Sequence, residues 1–167
     1  MPARLLLGVL LTCAAVLAPA PAVAEPATPV AAPWTSPLGN PPQVPRPFAP
    51  PPSPYGPGHR GADLAGVPGD VVAAAGDGVV VFAGMVAGRP VVSVDHAGGL
   101  RTTYEPVDPA VAAGQTVSRG SPLGTLLAGH AGCPAAACLH WGLRRGEVYL
   151  DPLALLRPPR VRLLPLG

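Results

Sequence analysis

Short apolar runs rich in valine, separated by glycine-centred turns, occupy the middle of the chain. In "GDVVAAAGDGVVVFAGMVAGRPVVSVDHAGGLRTTYEPV" the runs are too short for helices and are divided by Gly-Asp-Gly and Ala-Gly-Gly. β-Branched side chains favour the pleated surface of a strand, and glycine supplies the turns between paired strands. No part of this region keeps apolar residues at helical spacing between capping residues. The pattern predicts an antiparallel all-β domain of roughly 120 residues.

The pattern continues to the end of this region with shorter elements. "VAAGQTVSRGSPLGTL" contains two turn signals, Ala-Gly-Gln and Arg-Gly-Ser, which flank short strands. "CLHWGLRRGEVYLDPLALL" predicts a strand, an Arg-Gly turn, a second short strand and a final helical turn.

The first residues have the pattern of an export signal. Arg4 supplies a positive charge, Leu5–Leu17 an apolar stretch, and Ala22–Ala24 a small-x-small cleavage site. The apolar stretch is too short to span a bilayer. Cys13 allows a lipoprotein signal as an alternative, although Thr12 precedes it. We expect residues 1–24 to be removed, giving a secreted or cell-wall-associated protein without stable membrane insertion.

Proline divides the rest of the chain. Residues 25–33 are rich in Pro and Ala and predict a linker, whereas Trp34 and Phe48 suggest that the following proline-rich segment packs on the domain. We place the domain at 34–156 and a Pro/Arg tail at 157–167.

Composition narrows the choice of partners. Only 12% of the residues are charged, the basic residues are all arginine, and the formal net charge is +2. So small a charge does not favour nucleic acid or an anionic membrane. We expect a monomer that binds no nucleic acid.

"GHRGADL", at residues 58–64, sets His59 and Asp63 four positions apart among very small side chains. Such a pair is often a simple surface hydrogen bond. Zinc, however, takes imidazole nitrogen and carboxylate oxygen, and glycines let two ligands approach one point. His140 is the natural third ligand, because alternation on a strand turns Leu139 and Trp141 to the opposite face.

"GHRGADLAG", followed far downstream by "CLHWGL", resembles the lysostaphin/LytM-type zinc endopeptidases. The resemblance runs from about Trp34 to Leu156 and includes "AAGDGVVVFAG", "TTY" and "YLDPL". It implies an antiparallel β-sheet, barrel-sandwich-like single domain with one zinc ion and cleavage of peptidoglycan peptides. It also implies that His59, Asp63 and His140 are the zinc ligands.

Two positions depart from the pattern of this family. Active members carry two further histidines beside the metal, and here Pro106 and Cys138 stand in their places. Glu105 and His130 are candidate substitutes, although a solvent-facing or arginine-paired carboxylate is the commoner role for a residue such as Glu105, and a solvent-exposed loop position for one such as His130. Tyr104 matches the family's tyrosine and is expected either to line the groove or to pack in the domain.

Cys133 and Cys138 are the two cysteines left after signal removal. An oxidising compartment favours a disulfide between them. As a thiolate, Cys138 would instead be a fourth zinc ligand, which would close the site.

The sequence therefore predicts an exported zinc metalloendopeptidase-like protein that acts on cell-wall peptide with reduced activity. The alternatives are a catalytically inactive family member that binds peptidoglycan or regulates a cell-wall hydrolase, and a secreted β-domain in which the histidines are incidental.

Overall fold

The computed structural model describes residues 33–39, 41–53, 56–129 and 132–157. They belong to a compact unit that starts at Ala31. The predicted signal peptide, His130 and nearly all of the predicted tail lie outside the described residues. Within the described part of the chain, no helix has the length and apolar character needed to cross a membrane.

β-Strands are the main secondary structure of the described residues, and turns and loops connect them. A 3₁₀ turn at Ala97–Gly99 and another at Pro152–Leu156 are the helical elements described. The strands are β1 (Gly61–Gly66), β2 (Val71–Ala73), β3 (Gly78–Val86), β4 (Arg89–His96), β5 (Leu100–Glu105), β6 (Val107–Pro109), β7 (Thr116–Val117), β8 (Pro122–Leu126), β9 (Ala137–Arg145) and β10 (Val148–Tyr149).

The strands form two open antiparallel sheets. The larger has seven strands in the order β1-β9-β5-β4-β3-β7, with β10 paired to β9. The smaller has the order β2-β8-β6. The predicted antiparallel all-β class is confirmed, and neither sheet closes into a barrel.

The hairpin between β3 and β4 shows how the turns follow from the sequence. Ala87 and Gly88 both have positive φ, 48° and 80°. Two such residues in succession match the right-handed twist of the flanking strands, which is why glycine recurs at hairpin turns. The turn fixes the register of β3 on β4.

The larger sheet has one face in the core and another that carries polar side chains. On β9, Leu139 and Trp141 are completely buried and pack with Tyr104 of β5 and with residues of the smaller sheet. His140 lies between them, and alternation along the strand places it on the opposite face. This second face positions the candidate site.

The proline-rich segment before β1 packs on the domain, as Trp34 predicted. The Trp34 ring contacts the core and meets His96 edge to face, with ring centroids 4.9 Å apart. Arg46 and Ala49 form isolated antiparallel bridges to Asp63 and His59. Ala49 exchanges hydrogen bonds with His59 in both directions, whereas Arg46 accepts one from the Asp63 N–H at 2.8 Å. The proline neighbours have no N–H to donate, so the segment pairs only at intervals.

Candidate metal centre

The structure brings the side chains of His59, Asp63 and His140 together. His59 Nε2 lies 2.9 Å from Asp63 Oδ1, and His140 Nδ1 lies 2.9 Å from the same oxygen. The two imidazole nitrogens are 3.1 Å apart. One donor atom from each residue therefore faces a common point, and among the described residues this trio is the cluster that fits a metal ion.

Strand pairing creates this convergence. Asp63 on β1 and His140 on β9 are directly opposite each other in the antiparallel register. Side chains of directly opposed residues leave the same face of a sheet, with Cβ atoms about 5 Å apart. His59 precedes β1 and is held by its backbone, which exchanges hydrogen bonds of 2.7 and 3.0 Å with Ala49.

A backbone carbonyl fixes the orientation of the His59 ring. Nδ1 of His59 lies 2.7 Å from the carbonyl oxygen of Pro47. A carbonyl only accepts, so Nδ1 donates, and the lone pair of the neutral ring is on Nε2, the atom that faces Asp63 and His140. Metal-binding histidines are commonly oriented in this way by a second hydrogen bond.

The missing side chain of Gly61 leaves room for His140. A Cβ on Gly61 would come within 2.7 Å of His140 Nε2 and 2.5 Å of the Trp141 carbonyl oxygen. Glycine is therefore required at this point of β1, opposite Gly142, if the imidazole is to keep its position.

The chemistry of these donor atoms fits a divalent cation. Two imidazole nitrogens and a carboxylate oxygen are a usual set of three protein ligands for catalytic zinc. These three donor atoms lie about 3 Å from one another, and their electron pairs repel unless protons or a cation lie between them. Asp63 is almost fully buried and His59 is 6% exposed, whereas 21% of the His140 side chain remains accessible. The site is thus open on the His140 side.

Glu105 faces the same side of the sheet as His140. The two residues are directly opposite each other in the pairing of β5 with β9. The Glu105 carboxylate accepts from Arg89, with Oε1 and Nε 2.5 Å apart. The sequence analysis named Glu105 as a candidate but could not place it opposite His140, because cross-strand register depends on long-range pairing.

A cavity of about 330 Å³ opens beside His140, and we call it the His140 groove. Its floor includes Thr103 and Gly142, and its polar walls are formed by Arg60, Arg89, Glu105, His140, Arg144 and Tyr149. A second cavity of about 500 Å³ shares Arg89 and Glu105 and contains Pro106. The Arg89–Glu105 ion pair thus stands between the two cavities.

Tyr104 lies elsewhere, which corrects its placement among the catalytic candidates. Its side chain is completely buried on the core face, opposite Trp141 in the register. Its hydroxyl accepts from the Ala75 N–H at 2.9 Å, and burial raises the pKa of Tyr104 to about 12. Alternation on β5 explains the difference, because Tyr104 and Glu105 point to opposite faces. Tyr104 therefore supports the packing of the sheet.

Cys133 and Cys138 form a disulfide. The Cys138 sulfur is consequently no free thiolate, and the closed site with a fourth sulfur ligand does not form in this state. Cys138 lies two residues before His140, so the bridge ties the loop before β9 to the strand that carries the ligand. His130, the remaining catalytic candidate, lies outside the described residues.

His96 is separate from the cluster and has a structural environment. Its Nδ1 donates to the carbonyl of Asp77 at 2.8 Å, and its Nε2 lies 2.7 Å from the Thr102 hydroxyl. Burial lowers the pKa of His96 below the usual value of 6.5. These contacts give His96 a structural role at the end of β4.

Residues 57–152 match the family model described as "Peptidase family M23". The matched region covers more than half of the chain and contains the three clustered residues.

A curated relative from Mycobacterium tuberculosis (strain ATCC 25618 / H37Rv), described as an uncharacterized protein, is 52% identical over 164 residues. A relative from Mycobacterium bovis (strain ATCC BAA-935 / AF2122/97) matches equally well. The alignment covers 96% of this chain, which spans 64% of the length of those relatives.

Among solved structures, the chain is similar to a zinc-containing peptidase from Vibrio cholerae. The TM-score is 0.60 at 25% identity, over 74% of this chain and 39% of that one. The solution structure of lysostaphin matches with a TM-score of 0.55 at 24% identity, over 68% of this chain and 49% of that one. The second match concerns the fold alone, and it confirms the lysostaphin-type architecture.

Proposed function

This chain belongs to peptidase family M23, and on that premise we propose that it is an exported zinc metalloendopeptidase-like protein that hydrolyses peptides of peptidoglycan. The observation that carries the proposal is the convergence of His59, Asp63 and His140 on one point within about 3 Å of each other. The family membership and the open side of the cluster support hydrolysis.

In this proposal His59, Asp63 and His140 are the residues that would hold a zinc ion. Bound there, zinc would supply a Lewis acid for the scissile carbonyl and for water. Asp63 contributes the negative charge, and its burial excludes competing water from that side. The Pro47 carbonyl keeps His59 Nε2 unprotonated and directed at the ion.

Glu105 is the proposed proton acceptor. It lies opposite His140 and faces the His140 groove, where a substrate carbonyl would meet the ion. A carboxylate within reach of the attacking water can take its proton and return it to the leaving amine. Arg89 holds the carboxylate in place through its Nε. The reduced activity that we propose follows from using one carboxylate where the resemblance implies two histidines.

The second candidate function is a catalytically inactive protein that binds peptidoglycan or regulates a cell-wall hydrolase. It is favoured by the residues found at the two positions where this chain differs from the family pattern. Pro106 has no proton to exchange, and the sulfur of Cys138 is bonded to Cys133. Losing one preorganised transition-state donor costs about 10²–10³ in kcat.

One experiment separates the two functions. Purified, zinc-loaded protein is incubated with purified cell wall, and released peptides are measured by mass spectrometry. Release of new amino termini that a chelator abolishes and added zinc restores supports the peptidase. Sedimentation with the wall without any release supports the binding protein. Failure of the purified protein to take up zinc on loading would contradict the peptidase outright.

A further inference from the structure

We propose that Arg144 in the His140 groove binds a substrate carboxylate near the scissile bond, so that an acidic peptide is preferred to the same peptide with its carboxylates neutralised. The inference rests on the proposed function, because it concerns the substrate of that same site. It is carried by the position, contacts and charge of Arg144.

Arg144 and His140 lie on the same face of β9. The two residues are four positions apart, so alternation along the strand places both side chains on the same face, and both line the groove. Four residues of strand span about 13 Å. A peptide that passes along the groove in extended form therefore brings a carboxylate within about four residues of the bond at the cluster to the Arg144 guanidinium.

The walls of the groove carry more positive than negative groups. They include the guanidinium groups of Arg60, Arg89 and Arg144, and one carboxylate, that of Glu105, which pairs with Arg89. Glu147 and Asp95 lie near Arg144 outside the groove lining, and Asp95 is itself paired with Arg101. A metal ion at the cluster would add to the positive charge of the groove. A substrate with negative charge in the groove is favoured for electrostatic reasons.

The contacts of Arg144 leave one edge of its guanidinium open. Only Nη1 is engaged, with the Gly146 carbonyl at 3.1 Å and with Glu147 at 3.4 Å. Among the described residues, Nε and Nη2 of Arg144 have no hydrogen-bond partner. These two N–H groups form the fork that binds a carboxylate with two parallel hydrogen bonds. Glu147 is 98% exposed, and so exposed an ion pair competes weakly.

An aromatic ring holds the neighbouring wall in place. Tyr149 on β10 is opposite Arg144 in the register, and the Arg60 guanidinium carbon lies 5.5 Å from the centre of its ring. Cation–π contact keeps Arg60 beside the same end of the groove. The guanidinium groups of Arg60 and Arg144 suit a peptide carboxylate, which can belong to a side chain or to the chain end.

The test uses a peptidoglycan stem peptide in two forms, with its carboxylates free and with the same carboxylates amidated. Titration calorimetry with the zinc-loaded protein at low ionic strength measures Kd for each. Charge-assisted hydrogen bonds predict that the free acid binds roughly tenfold to hundredfold more tightly. Arg144→Gln should reduce this ratio to near one, and Arg144→Lys should keep part of it, because the charge remains without the fork.

Arg145→Gln is the matched control. Arg145 is the next residue on β9, is exposed and points away from the groove, so the same substitution should leave the preference intact. Bound zinc and an unchanged melting temperature establish that each variant is folded. Equal affinity of the wild type for both peptides, or equal effects of the two substitutions, would overturn the proposal.

Wall digestion, measured in parallel, separates this inference from the proposed function. If digestion occurs but Arg144→Gln keeps the acid preference, the carboxylate site alone is refuted. If digestion never occurs but the preference depends on Arg144, the carboxylate site stands and the peptidase function fails.

Discussion

The imidazole of His140 occupies the space that a side chain on Gly61 would need. The two residues lie on neighbouring strands of the larger sheet, and a Cβ on Gly61 would come within 2.7 Å of His140 Nε2 and 2.5 Å of the Trp141 carbonyl oxygen. The position of a proposed metal ligand therefore depends on the absence of a single methyl group on the next strand.

Gly61→Ala should consequently weaken zinc binding about tenfold to hundredfold, the range for loss of an outer-shell partner. Competition with a chromophoric chelator measures this affinity. Gly84→Ala is the control, because its Cβ would meet the Phe82 ring at an ordinary distance of 3.4 Å. Unaltered zinc affinity in Gly61→Ala would show that His140 does not hold the ion in this orientation.

Asp63→Asn should remove bound zinc from the purified protein. The substitution keeps the size of the side chain but removes the negative charge, and we expect affinity to fall by more than about 100-fold, because even outer-shell changes reach that size. Plasma emission analysis of zinc per chain measures the outcome. Asp95→Asn, at a carboxylate on β4 that pairs with Arg101, should keep about one zinc per chain. Retention of zinc by both variants would refute the proposed ligand set.

Glu105→Gln should lower kcat for wall peptide release by about 10²–10⁴, the usual contribution of a general base. Zinc content should not change, because Glu105 is outside the ligand cluster. Asp108→Asn, at an exposed carboxylate on β6 in the smaller sheet, should leave kcat unchanged. A Glu105→Gln enzyme with wild-type kcat would assign the proton transfer to another group.

The Cys133–Cys138 disulfide should be present in the native protein and should stabilise it by about 2 kcal/mol in the chain-entropy model for so short a loop. Alkylation before and after reduction, followed by mass spectrometry, counts the protected thiols. Reduction with a phosphine should lower the melting temperature without releasing zinc. Tighter zinc binding after reduction would instead indicate that the freed Cys138 thiolate is a ligand.

His96 predicts an acid-sensitive component of stability. Burial lowers its pKa in the folded protein, so the unfolded chain binds more protons in the window below about 6.5. Its contribution is present above the unfolded value and is lost as pH falls toward the folded pKa. Denaturant unfolding in the presence of a chelator measures this effect. Between about pH 7 and 5 the free energy of unfolding should fall more in the wild type than in His96→Asn. Parallel curves for the two proteins would contradict this assignment.

Much of the fold follows from local signals. Valine runs between glycines define the hairpins, and the Ala87–Gly88 turn has the positive φ values that such turns require. The pairing of His59 and Asp63 with the distant His140 followed from alternation on β9 together with the resemblance to a known family.

The remaining features depend on contacts between segments that are distant in the sequence. Nothing in the sequence near Glu105 indicates that it faces His140, since only the register of β5 on β9 sets that relationship. The Pro47 carbonyl was also missed, because a proline-rich segment gives no strand signal. Tyr104 was placed correctly only as a packing residue, and assigning the faces of β5 would have been enough to decide between its two expected roles.

The direct opposition of Asp63 and His140 has a consequence for how the protein is made. A chain that ends before β9 contains two of the three donor residues and no partner strand for β1, so it has nowhere to retain the ion. A site that forms only in the native fold couples metal binding to folding. A bound ion would therefore stabilise the pairing of β1 with β9, and the amount of zinc retained would measure how much of the protein has formed that pairing.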